Sequence, residues 1–121
     1  MDLSQIHARL AVSYILFMTI AAAWNLVAAA RRQGVSGTAF GILAIGELLA
    51  LAQGALGIAL MVGGDRPARG VHLLYGATAA LTLPAYYSLS KGRDDRRASL
   101  VYGALCLFLA VAGYRAMITG T

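Results

Sequence analysis

The stretch from Leu10 to Ala30 contains no charged residue, nor does the stretch from Gly70 to Ser90, and Val35 to Gly64 is interrupted only by Glu47. A fourth apolar stretch, Ala98 to Tyr114, is the shortest and is bounded by Arg97 and Arg115. The hydrocarbon layer of a bilayer is roughly 30 Å thick and needs about 20 apolar residues to cross as a helix. Arginine stems at the ends of a span can reach the interface. These runs predict four transmembrane helices over residues 6–30, 36–62, 70–90 and 96–118, forming a single transmembrane domain over 1–121.

Helices are required because hydrocarbon offers a backbone amide no partner, and the many alternating ten-residue segments of a membrane β-barrel are absent. The fold class expected is therefore all-α. Hydrophobic residues make up 60% of the chain and charged residues 12%, with a mean hydropathy of +0.71, well outside the balance of a soluble domain. The first segment is expected to stay in the mature protein: its apolar run is long for a signal peptide, Met1 to Gln5 has no basic residue, and Arg31-Arg32 stands where a cleavage site would be. Cys106, the one cysteine, lies inside the fourth span and reads as a small apolar filler.

The net charge of +5 is a loop charge and speaks of topology, not of nucleic acid. Arg31, Arg32, Lys91, Arg93, Arg96 and Arg97 fall on one side, and Arg9, Arg66, Arg69 and Arg115 on the other. That asymmetry favours a cell-membrane protein with cytoplasmic loops 1–2 and 3–4 and both termini outside. The connections are short. Ser36 can cap the second helix, Asp94 or Asp95 the fourth, and Pro67 stops the second helix from continuing. An up-down-up-down four-helix bundle follows.

The two histidines stand at the starts of alternate spans, in Ile6-His7-Ala8-Arg9 and Val71-His72-Leu73-Leu74, each followed by a basic loop and a second helix. Read as parallel repeats of one hairpin, the halves place both imidazoles at equivalent positions on one side of the membrane. Counting from the helix ends adds Tyr14, Gln53, Tyr75 and Tyr114 to the same layer. His7 and His72 could hold a metal ion or a haem iron, and the six residues together could surround a b-type haem or a quinone between the first and third helices. In this arrangement the chain resembles small b-type membrane cytochromes, which implies electron transfer. The competing expectation is interfacial anchoring, since both histidine and tyrosine suit a membrane boundary.

Glu47, near the middle of the second span, is the candidate for proton or ion movement, or else a protonated acid bonded to the Ala80 carbonyl that Pro84 leaves free. The chain resembles in size the small multidrug-resistance exporters, which have four helices and one membrane carboxylate; it departs from them in carrying the acid on its second helix. Gly37, Gly41, Gly46, Ala50 and Gly54 form a small-residue stripe suited to close packing, either within the bundle or against itself or other membrane subunits. Arg96-Arg97-Ala98-Ser99 has the look of a phosphorylation context but is also what a helix boundary requires. No phosphate loop, zinc spacing or Ser-His-Asp arrangement is present, and no independent enzymatic activity is expected of loops this short. The expected roles are an electron-transfer or accessory component, a structural subunit of a larger membrane complex, or a proton-coupled transporter.

Overall fold

The first backbone amides of a helix have no partner within it, so short polar side chains decide where each one starts. Asp2 accepts from the Gln5 amide at 2.9 Å while Gln5 accepts from the Asp2 amide at 3.2 Å, a reciprocal cap that begins α1 (Leu3–Ala30) ahead of residue 6. Ser36 caps α2 (Gly37–Val62) through the Ala39 amide, and Asp95, rather than Asp94, caps α4 (Arg96–Thr119) through that of Ala98. Between them, α3 (Val71–Leu89) follows Gly70 with no side-chain cap. These four helices are the regular structure of the computed structural model, which describes residues 1–120.

α1, α2 and α4 are long and apolar enough to cross a membrane. α3 is the shortest helix, with 19 residues. Its histidine, two threonines, proline and three tyrosines keep it below the hydropathy of the others. α4 is longer than its apolar run because Arg96, Arg97 and Arg115 are all helical. Pro84 sits inside α3, which continues through it.

Each helix packs on two others: α1 on α4 and α2, and α3 on α4 and α2. Across the two diagonals, α1 to α3 and α2 to α4, no pair of described Cα atoms comes within 8 Å. The closest packing is between α1 and α4, where small residues let the backbones approach. A Cβ added to Gly103 would lie 2.6 Å from Leu26 Cδ2 and 3.1 Å from the Leu26 backbone nitrogen, and one on Gly113 would lie 3.1 Å from the Tyr14 ring. Met18, Ala21, Cys106 and Leu109 fill this seam with no exposed surface. Cys106 is a buried free thiol within the core cluster.

The basic end is tied by polar contacts between connections. The Val35 amide donates to Asp94 O at 2.8 Å, Arg96 Nε to Ala29 O at 2.7 Å, and Ser99 Oγ to Gln33 O at 2.9 Å. Arg31, Arg32, Lys91, Arg93, Arg96 and Arg97 are all exposed residues here. Large apolar side chains cover the outside of the helices, among them Leu16, Ile20, Leu48, Ile58, Leu81 and Phe108, each more than half exposed. Helices apolar on every side are what a membrane environment selects.

The stripe on α2 divides in two. Gly46 and Ala50 face inward, Gly46 against Met18, whereas a Cβ on Gly37, Gly41 or Gly54 would meet nothing within 4 Å. The step from Gly41 to Gly46 is five residues, which turns the chain more than a third of the way around the helix. Gly103→Ala should therefore destabilise the fold by about 1–3 kcal/mol through overpacking against Leu26. Gly41→Ala should be neutral or stabilising by up to about 1 kcal/mol. Thermal unfolding of the two variants in detergent checks both signs.

Candidate functional site

At the end of the bundle opposite the basic loops, α1 and α3 meet across the diagonal through their histidines. His7 lies in the second turn of α1 and His72 in the first turn of α3, and the reciprocal Asp2–Gln5 cap is what extends α1 far enough to carry His7 on regular helix. The two rings are 6.2 Å apart between centroids and inclined at 71°.

The neighbouring helices hold this pair in place. His72 Nδ1 is 2.6 Å from the Ala116 carbonyl oxygen of α4. A carbonyl only accepts, so the proton in this bond is carried by Nδ1. Gln53 Nε2 of α2 donates to the His7 carbonyl at 2.7 Å. Each ring also lies against a glycine, Gly57 of α2 for His7 and Gly120, just past the end of α4, for His72. A Cβ on Gly57 would lie 3.4 Å from His7 Cε1, and one on Gly120 only 2.8 Å from His72 Cε1. His7 Nδ1 and Gln53 Oε1 are both buried and have no hydrogen-bond partner. Buried polar groups without a partner are uncommon, and these two single out the cluster as the candidate site.

Of the six residues expected in one layer, the structure brings together His7, Gln53 and His72. Tyr14 is buried deeper in the α1–α4 seam against Gly113. Tyr75 is half-buried and shares no ring contact with either histidine, and Tyr114 is 51% exposed on the outside of α4. The contribution of α4 is the Ala116 carbonyl, with Gly120 beside it. Neither residue was singled out by side-chain chemistry, since one acts through its backbone and the other through having no side chain. The one available signal was spacing: Gln53 and Gly57, like Ala116 and Gly120, stand four apart on one helical face.

Glu47 belongs elsewhere. It lines a groove of about 420 Å³ between α2, α3 and α4, bordered by Phe40, Pro84, Tyr87 and Tyr102. Its Oε1 is buried without a partner, so the expected bond to the Ala80 carbonyl is not made. Thr78 and Thr82 do not supply it either, because their hydroxyls donate to Leu74 O and Thr78 O of their own helix. Beside it stands an aromatic cluster that the sequence reading missed: Phe40 against Tyr87 and Tyr102 at 6.0 Å, and Tyr86 against Tyr102 at 4.8 Å.

In the protein labelled with nitrogen-15 histidine, NMR should show His72 as the Nδ1–H tautomer. Gly120→Ala, whose new methyl needs the space of the ring, should shift or broaden that signal. No family model, no curated protein and no solved structure matches this chain.

Proposed function

We propose that the chain is a membrane-embedded electron-transfer or accessory component, an up-down-up-down bundle that holds a b-type haem between α1 and α3 through His7 and His72. The observation that carries this reading is the meeting of the two imidazoles across the diagonal at 6.2 Å. The unpartnered, buried Nδ1 of His7 also fits a ligand at this point.

A bound haem supplies reversible one-electron chemistry. The chain's own groups do the positioning. The Ala116 carbonyl orients His72 and leaves its Nε2 free to ligate, as outer partners of metal-binding histidines do. Gln53 fixes the α1 backbone at His7. Gly57 and Gly120 leave the room that the two rings occupy.

Membrane insertion with α3 included is supported by its length of about 28 Å, close to the hydrocarbon thickness. The exposed arginines and lysine at one end support an orientation with loops 1–2 and 3–4 in the cytoplasm and the histidine end outside. Gly37, Gly41 and Gly54, open in this chain, are the small residues available to another membrane subunit or a second copy.

Protein purified in mild detergent from haem-replete cells should be coloured, with a Soret band that moves on reduction. His7→Ala or His72→Ala should remove most of the bound haem. A colourless, haem-free preparation would overturn the assignment, and extractable quinone in its place would point to the same cleft with a different cofactor. For orientation, a cysteine at Ser4 should react with an impermeant maleimide in intact cells and one at Arg32 should not. Cys106, fully buried, leaves that background clean.

A further inference from the structure

The groove between α2 and α3, the loosest of the four helix contacts, is closed on one side and open on the other. Leu43, Leu83 and Tyr102 are buried and form its floor, whereas Ala44, Pro84 and Tyr87 are exposed along its rim. With α2 and α3 inserted in a bilayer as proposed above, whether or not a haem is bound, that rim opens to lipid and not to water. On α2 the lining runs from Phe40 to Glu47, about 10 Å of helix against the roughly 15 Å of hydrocarbon in one leaflet. An apolar floor of this length gains dispersion contacts from a hydrocarbon chain laid along it.

The mouth of the groove is at the basic end, where Gly92 lines it. Lys91 and Gly92 both have positive φ, 55° and 73°, and the Gly92 amide donates to Tyr87 O at 2.9 Å, so the chain turns back over the end of α3. A Cβ on Gly92 would lie 3.4 Å from the Tyr87 hydroxyl oxygen, which sets the turn against the exposed Tyr87 ring of the rim. Lys91 and Arg93, the chain neighbours of Gly92, are thereby held at the mouth, and both are exposed. Arg93 is engaged only by Asp95, 3.7 Å from its Nε in an exposed pair, which is a weak tie. Six basic residues stand at this end against two acidic ones, Asp94 and Asp95. Such an excess beside the interface attracts negatively charged headgroups over zwitterionic ones.

We infer that the groove is a binding site for an anionic phospholipid, with one acyl chain lying on Leu43 and Leu83 and the phosphate at the turn of Lys91, Gly92 and Arg93.

The experiment is photolabelling of the full chain in phosphatidylcholine nanodiscs that carry a trace of phospholipid with a diazirine midway along one acyl chain. The probe bears either a phosphatidylglycerol or a phosphatidylcholine headgroup, and mass spectrometry locates the adducts. Trp24, Val27 and Leu100, exposed on α1 and α4 near the same end, report ordinary lipid contact. The ratio of phosphatidylglycerol to phosphatidylcholine adducts should be about fivefold higher at Ala44, Pro84 and Tyr87 than at those three positions, the preference that one basic residue near the interface supplies. Lys91→Gln combined with Arg93→Gln should remove that difference, and Ala44→Phe, which fills the groove from an exposed position, should move the label off Pro84 and Tyr87. The same ratio at every labelled position would show that the basic end enriches anionic lipid generally and would overturn the site. So would a difference that survives the loss of Lys91 and Arg93. Adducts at none of the positions, Trp24, Val27 and Leu100 included, would overturn membrane insertion and the site with it. The two probes on the unmodified protein decide the matter even where a variant fails to fold.

Discussion

The close approach of α1 and α4 at Gly103 is the contact on which the rest of the bundle depends. Helices that are apolar on every side have no hydrophobic face to bury, and in lipid the hydrophobic effect does not choose between one face and another. The choice falls to shape. Where Gly103 and Gly113 remove side chains from α4, the Leu26 and Tyr14 segments of α1 come close, and dispersion contacts between densely packed atoms hold the pair. The first and last helices are thereby joined, and the ring closes with α2 and α3 occupying the positions that remain.

That closure sorts the molecule into regions of different character. At the basic end, backbone groups of the two connections bond to each other and to Arg96 and Ser99, leaving a rigid, largely satisfied cap. At the opposite end the bonding is incomplete, with an imidazole nitrogen and an amide oxygen unspent between four helices. Along the α2–α3 side, looser packing leaves a cleft with an acid and a phenol in its wall. Tight packing on one side and vacancy on the other are parts of the same arrangement.

The helices and their caps were legible because the physics that sets them is local. Apolar length separates span from loop, and Ser36 and Asp95 cap through amides three residues ahead. The meeting of His7 with His72 was legible too, since short connections leave alternate helix starts at one end. What could not be read was rotation about each helix axis. With no polar face to fix it, the sequence sets Tyr114 in a layer from which it points outward and Tyr14 in a layer that it lies beneath, and it runs the small residues of α2 as one stripe of which only Gly46 and Ala50 face inward. The aromatic cluster around Tyr102 escaped for the same reason: Phe40, Tyr86 and Tyr102 come from three helices, and only their rotations bring them together.

The two ties at the histidine end differ in what they read. Gln53 binds the carbonyl of residue 7, a group every amino acid carries, whereas the tie between α3 and α4 runs through the imidazole of His72 itself. The bond from Gln53 is therefore indifferent to the side chain at position 7, whereas the bond to the Ala116 carbonyl is committed to the one at position 72. A chain with another residue at position 7 would keep the first tie and lose only the ring's packing on Gly57 and His72, while one without His72 would lose the second tie itself.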